Sequence, residues 1–313
     1  MDETLLDVLA QLRHDSLARS PAYPGGPAAL AWHRDLLARA LRQGALEIEV
    51  SGQELLAFAA LWAEAPPYGE REVPHLMLHR QDSPEAAEAA RRCADRLLGG
   101  QPPDVRCMLP LWDADSRDWL MGRGFGLASV NLAGRAARAR EGLGAPTPLP
   151  PGVEVRPLEP EDVDGVLCLH AAVFGEEPLY APFAAQPGFL EKYRRVLHEP
   201  DSPHARWVLT ERGALVGYLS ARFNLEDPHH GSSAGVDLVL DRRARGRGLA
   251  RALYAVVLET MEDRGAAWLK GTTARPQVLR LAGVMGRRIT TVNLSQRDSF
   301  PVGWFDMWLS ELK

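Results

Sequence analysis

Gly235-Val-Asp-Leu-Val-Leu240-Asp-Arg-Arg-Ala-Arg245-Gly-Arg-Gly-Leu-Ala250-Arg-Ala-Leu253 is the stretch on which the reading of this chain turns. Its first six residues are apolar apart from Asp237 and read as a strand; the residues from Leu249 open an amphipathic helix. The loop between them carries Arg243-x-x-Gly246-x-Gly248. Glycine, with no Cβ, takes positive φ and lets the backbone approach a ligand. The first N–H groups of the following helix have no intrahelical acceptor. Together with the helix dipole they suit a phosphate or pyrophosphate, and Arg243, Arg245 and Arg247 add positive charge. A P-loop would need G-x-x-x-x-G-K-[ST], which is absent. A dinucleotide fingerprint would need a small residue where Arg251 stands. Taken alone, the loop also reads as a solvated basic turn.

Outward from this block, strands are expected at 153–156, 206–211, 215–223, 234–240, 267–272 and 290–296. Helices are expected from 159 toward His170 and at 189–198, 249–263 and 276–286. Arg212-Gly213 reads as the turn of a hairpin. The first half follows the same order, with helices near 2–19, 28–43, 84–98 and 116–122, and strands at 46–50, 55–62, 75–79, 105–111 and 127–133. Strands mostly precede helices, so the expected class is α/β (α+β), a mixed twisted sheet flanked by helices in each half.

Between the halves lies GLGAPTPLPPG, residues 142–152, whose four prolines remove backbone donors and fix φ. Three pairs of segments repeat at an offset of roughly 160 residues, which points to internal duplication. Val130-Asn131-Leu132 resembles Val292-Asn293-Leu294, Met121-Gly122-Arg123 resembles Met285-Gly286-Arg287, and Gly52 to Phe58 answers Gly213 to Tyr218. The expected organisation is a first domain over 1–141, a linker over 142–152 and a second domain over 153–313.

Composition narrows the function classes. The chain has 313 residues, 46% hydrophobic and 25% charged, with a formal net charge of −5. That removes the overall basic footprint of a nonspecific nucleic-acid binder. No apolar run approaches the roughly 20 residues of a membrane span. The N-terminus is acidic and amphipathic, unlike a signal peptide. Cys93, Cys107 and Cys168 are too widely spaced for a metal pair or a disulfide framework. These features predict a soluble, cytoplasmic protein with no metal, nucleic-acid or membrane partner.

The block from Gly235 resembles motif A of the GNAT superfamily of N-acetyltransferases, whose pattern R/Q-x-x-G-x-G/A lies between the fourth strand and the third helix. The turn Gly213-Ala-Leu-Val-Gly217 also suits that family. The resemblance implies acetyl-CoA as co-substrate. Gly246, Arg247, Gly248, Leu249 and Ala250 would hold its pyrophosphate, with Arg243 and Arg245 shaping the loop. The backbone of Leu238, Val239 and Leu240 would receive the pantetheine arm. The first half has Arg80-Gln-Asp-Ser-Pro-Glu85 at the corresponding place, with no glycine. Asp82 reads there as a helix cap, so that half is expected to be a degenerate copy without acetyl-CoA binding.

Acetyl transfer needs a base for the attacking amine and a donor for the developing oxyanion. Asp237 is the candidate base, with Glu226, beside His229 and His230, as the competing set. The N–H of Val239 or Leu240 is the candidate oxyanion donor. The family's usual proton-donating tyrosine has no counterpart after Tyr254, and Tyr254 itself reads as packing. Glu176, Glu177, Tyr180 and Phe183 would suit a cationic small-molecule amine. The C-terminal run from Trp304 to Leu312 reads as a docked helix or last strand. Two alternatives stay open: a CoA-binding regulatory module with catalysis weak or lost, and a protein lysine as acceptor.

Overall fold

Apolar residues recurring every second position, or every third to fourth, set out strands and helices in alternation along the chain. The computed structural model describes residues 3–52, 54–64, 73–99, 105–145, 148–176, 188–199 and 203–296. They fall into two compact units, one over the residues up to 131 together with 289–296, the other over 132–288.

In the first unit, α1 (Glu3–Ala18) and α2 (Pro27–Arg42) precede the hairpin β1 (Leu46–Ser51) and β2 (Glu54–Glu64). Then follow β3 (Val73–Arg80), α3 (Pro84–Leu98), β4 (Arg106–Pro110), α4 (Ala114–Gly122) and β5 (Gly126–Arg135). Leu9, Leu36, Leu37, Phe58 and Met77 form the core between the first helices and the sheet. Helix α3 starts where Ser83 accepts the Ala86 N–H at 3.0 Å, with Pro84 in the first turn. The cap is therefore Ser83 rather than Asp82, whose carboxylate instead pairs with Arg19 at 2.8 Å.

The second unit begins with α5 (Ala136–Leu143), which sequence periodicity left unassigned. Gly142, read as the start of the linker, is helical; a Cβ there would come within 1.8 Å of the Val284 carbonyl. Ala139 and Leu143 are buried in the second unit's core. The compact units thus divide at Asn131/Leu132 rather than at the proline-rich segment.

Next come β6 (Val153–Pro157), a 3-10 turn (Pro160–Asp162), α6 (Val163–Phe174), α7 (Phe189–His198) and β7 (His204–Glu211). β8 (Ala214–Asp227) and β9 (Gly231–Leu240) lead into a 3-10 turn (Arg242–Ala244) and α8 (Leu249–Asp263). β10 (Trp268–Thr273), α9 (Pro276–Val284) and β11 (Arg288–Ser295) complete the described chain. The second unit's strands run β10-β9-β8-β7-β6, with β9 parallel to β10 and antiparallel to β8. Leu219, Ala221, Phe223 and Ala234 point to one face, against Leu253, Tyr254 and Val257 of α8. The alternate residues, Tyr218 and Ser220 among them, point to the face of α6.

The strand β11 belongs to the first unit, whose order is β1-β2-β3-β4-β11-β5. It runs antiparallel to β4, while β4 is parallel to β3, so that sheet is mixed. The repeated V-N-L segments are neighbours there. Asn131 donates to the Thr291 hydroxyl at 2.8 Å, and Asn293 donates to the Ser129 hydroxyl at 2.9 Å.

Candidate active site

Two parallel strands that stop pairing create the site. β9 faces β10 only where Ser233, Ala234 and Gly235 lie opposite Trp268, Leu269 and Lys270. Beyond that point β9 keeps β8 on its other edge up to Leu240 opposite Gly217. Residues 236–240 therefore present one edge to a cavity of about 480 Å³.

The direction of each backbone group on that edge follows from one hydrogen bond. The Asp241 N–H goes to the Val216 carbonyl on β8 at 2.9 Å. Backbone groups alternate along a strand, so the N–H groups of Val239 and Asp237 also face β8. Those of Leu240, Leu238 and Val236 face the cavity. Of the two candidate oxyanion donors, the one turned to the cavity is Leu240.

The loop that closes the mouth is braced from within. The Asp241 carboxylate accepts the Arg243 N–H at 2.8 Å, Ala244 is buried, and Arg245 Nε donates to the Leu240 carbonyl at 3.0 Å. Gly246 and Gly248 sit at φ 73° and 78°, a region that glycine enters without strain. Gly248 caps α8. The first backbone N–H past the loop with an acceptor is that of Arg251, to the Gly248 carbonyl at 3.0 Å. The N–H groups of residues 246–250 have no acceptor among the described residues. They form a concave row of donors at the positive end of a helix dipole.

The arginines divide their roles. Arg247 forks onto Glu211 at 2.9 and 2.7 Å, which holds the Glu211 carboxyl below its ordinary range. Arg247 thus offers a ligand its backbone N–H rather than its charge. Arg243 is almost wholly exposed. Arg245, Arg242 and Arg275 converge on Glu176 at 3.1, 3.0 and 3.7 Å. Burial alone would raise the Glu176 carboxyl, but the Arg245 hydrogen bond and the three guanidinium charges bring it below its usual value.

On the face of α6, Asp237 lies opposite Ser220, and its carboxylate is 3.5 Å from His170 Nε2. His170 is fully buried. Its Nδ1 is 3.0 Å from the Val166 carbonyl and its Nε2 is 2.7 Å from the Tyr193 hydroxyl. A carbonyl only accepts, so Nδ1 carries the hydrogen, and in the neutral ring Nε2 accepts from Tyr193. Tyr218 stacks edge-on against His170, and burial pushes its hydroxyl up to about 12. His204, bonded to Ser220 at 2.9 Å, is lowered to about 4 by burial and by the Arg206 and Arg222 charges. Asp237 itself is partly exposed and lines the cavity. It can take a proton from a group in the cavity, with the His170–Tyr193 pair packed behind it.

Glu226 is elsewhere. It is exposed near the turn end of the β8–β9 hairpin, roughly 20 Å along the strand from Ser220 at the usual rise per residue. Beside it, buried Asp227 collects His230, Ser233 and Lys270. Burial opposes its ionisation, and those hydrogen bonds outweigh burial and hold it well below the carboxylate range. His229 donates its N–H to the same carboxylate at 2.9 Å. Glu177, Tyr180, Phe183 and the run from Trp304 to Leu312 lie outside the described residues.

Sequence reasoning missed His170 and Tyr193 and set Tyr254 aside as packing. Tyr254 is buried, but it lines the cavity and approaches Arg287, another lining residue. For His170 and Tyr193 a signal existed: each is a hydrogen-bonding residue on the apolar face of its helix. Among the described residues, no group of three His, Cys, Asp or Glu is placed to hold a metal ion. No described helix is long and apolar enough to cross a membrane.

Comparison with known proteins gives this geometry a context. Residues 173–286 match the model of the acetyltransferase (GNAT) family. A GCN5-related N-acetyltransferase from Sphaerobacter thermophilus is similar over 96% of both chains, at 15% identity and a TM-score of 0.58. A GCN5-related glucosamine N-acetyltransferase region of a fungal multi-domain β-N-acetylglucosaminidase aligns with 93% of this chain and 36% of that one, at 14% identity and a TM-score of 0.51. At these identities both likenesses concern the fold. No curated protein matches the sequence. The parted strands and the glycine loop both lie inside residues 173–286, the segment that matches the acetyltransferase (GNAT) family model.

Proposed function

We infer that the protein is an acyl-CoA-dependent N-acetyltransferase whose second unit moves an acetyl group from acetyl-CoA to the primary amine of a small molecule. The observation that carries this reading is the continuity of the unpaired β9 edge with the donor row of residues 246–250. A pyrophosphate needs several N–H donors on a concave surface, and an extended amide arm needs a strand edge. Here one follows the other. When bound, acetyl-CoA supplies the thioester carbon that the amine attacks.

The chain's own groups do the rest. The N–H groups of 246–250 take the diphosphate charge. The edge at Leu238 and Leu240 aligns the arm, and the Leu240 N–H is the donor for charge on the carbonyl oxygen. Asp237 receives the amine proton, directly or through water, while the His170–Tyr193 pair fixes its surroundings. Thiols leave readily, with pKa values of roughly 8–9. The missing family tyrosine is therefore compatible with turnover.

The first unit lacks the equivalent loop. Ser83 caps α3 directly, and the buried Arg80 is neutralised by Asp113 and Asp115, both at 3.0 Å. We read it as a degenerate copy that does not bind CoA.

A thiol-release assay with acetyl-CoA over a panel of small amines and lysine peptides tests the reading. Release with a small amine, falling about 100-fold in Asp237→Asn as expected for loss of a general base, is the predicted result. Binding of acetyl-CoA with no release on any amine would instead make the protein a CoA-responsive module. Release only with peptides would move the acceptor to protein lysine.

A further inference from the structure

The inner end of the cavity holds a cation that the proposed reaction does not use. Arg287 is 5% exposed and lines the cavity. Among the described residues its guanidinium makes one hydrogen bond, from Nη1 to the Tyr254 hydroxyl at 3.4 Å, and its buried Nε has no partner. Two glycines make room for it. A Cβ on Gly271 would come within 2.6 Å of Nη2, and a Cβ on Gly134 within 2.9 Å of the Arg287 Cα. Leaving a guanidinium out of water with a single long hydrogen bond is costly unless an anion joins it. Its planar donors match a carboxylate.

Among the described residues, no carboxylate of the cavity wall serves. Asp237 is on the α6 face against His170, whereas Tyr254 and Gly271 place Arg287 on the α8 face. Glu176 is held by three arginines at the mouth. The anion must arrive with a ligand.

We propose that Arg287 forms an anion subsite for the acyl group, so that the donor the enzyme binds best is a short dicarboxylic acyl-CoA, such as malonyl- or succinyl-CoA. This rests on acyl-CoA lying along the β9 edge as proposed above. A donor with its diphosphate at residues 246–250 and its arm along 240 to 236 ends where the strands meet, beside Gly271 and Arg287. An acceptor comes from the side of Asp237 and His170, with the thioester between it and Arg287. The carboxylate that reaches Arg287 is therefore the donor's. In the transfer, the amine nitrogen bonds to the thioester carbon, the carbon–sulfur bond breaks, the amine proton leaves and CoA departs as thiol. The distal carboxylate is unchanged. Acetyl-CoA, with a methyl group at that place, leaves the guanidinium unpaired and binds more weakly.

Calorimetric titration of the full chain with acetyl-, malonyl- and succinyl-CoA decides the matter without an acceptor. The wild type is expected to bind malonyl- or succinyl-CoA about 10- to 100-fold more tightly than acetyl-CoA, the scale of a charge-assisted pair. Arg287→Met should abolish that preference and leave acetyl-CoA affinity within about threefold. Gly271→Ala, crowding the guanidinium, should reduce it. Equal wild-type affinities overturn the subsite whether or not the variants fold. Equal wild-type affinities with a raised KM for carboxylate-bearing amines in Arg287→Met would assign the guanidinium to the acceptor and overturn it too. Failure of every CoA ester to bind would overturn the donor site itself, a distinct outcome.

Discussion

His79 shows how single residues here trade solubility for packing. It is buried against Phe58, ring centroids 5.0 Å apart, and among the described residues its Nδ1 has no partner. Burial, aided by the charges of Arg13, Arg19 and Arg80, lowers it to about 3. The folded state therefore keeps it neutral, while an unfolded histidine titrates near 6.5. Its contribution to stability is complete above that pH. It is lost as pH falls from about 6.5 toward 3, because the unfolded state binds a proton the folded state refuses. Urea denaturation of His79→Phe should show a stability slope shallower than wild type by about 1.4 kcal/mol per pH unit between pH 6 and 4. Parallel slopes would mean that His79 is protonated in the fold. Nothing in the sequence marked this residue, since burial depends on which strands become neighbours. Asp237 was legible because the strand it sits on was legible. His170 was not, because its meeting with Asp237 joins residues 67 positions apart through the register of β8 and β9.

At the scale of elements the strongest agreement lies around the glycine loop. The helix at 249–263 and the helix at 189–198 were placed at their observed bounds from periodicity and flanking residues. The parting of β9 and β10 was beyond such reading, since strand sequence says little about where pairing stops. Helix α5 escaped because a single short run, Ala136–Leu143, ends in glycine and precedes prolines. The loop itself makes a sharp prediction. A Cβ on Gly248 meets nothing within 4 Å, so the cost of Gly248→Val is its φ of 78°, where a β-branched residue is strained. That strain is of order 1–3 kcal/mol. Gly265, at φ 69° beyond the other end of α8, is equally open. Thermal unfolding should show both valine variants destabilised alike. Acetyl-CoA affinity should fall at least about tenfold in Gly248→Val alone, the effect of losing one or two N–H contacts to a phosphate. A similar loss of affinity in both would make the effect one of stability rather than of the loop.

For the whole molecule, the repeated segments were legible and the exchange of elements was not. The repeated V-N-L segments were found by their shared spacing, yet they lie side by side in the first unit, bonded through Asn131 and Asn293. Each half of the chain thus ends in an element that belongs elsewhere. β11 completes the first unit's sheet, and α5 is part of the second unit's core. A cut within residues 142–152 should give fragments that do not fold singly: 1–141 lacks the strand paired to β4. Circular dichroism and cooperative unfolding of each fragment check this. Two independently cooperative transitions matching the intact chain would contradict it.

One CoA thioester is expected to bind per chain, along the β9 edge of the second unit. A crystal structure of the intact chain with acetyl-CoA tests it most directly. The diphosphate is expected on the N–H groups of residues 246–250 and the pantetheine arm beside residues 236–240. A thioester bound in the first unit, or one bound in the second unit away from that edge, would contradict it.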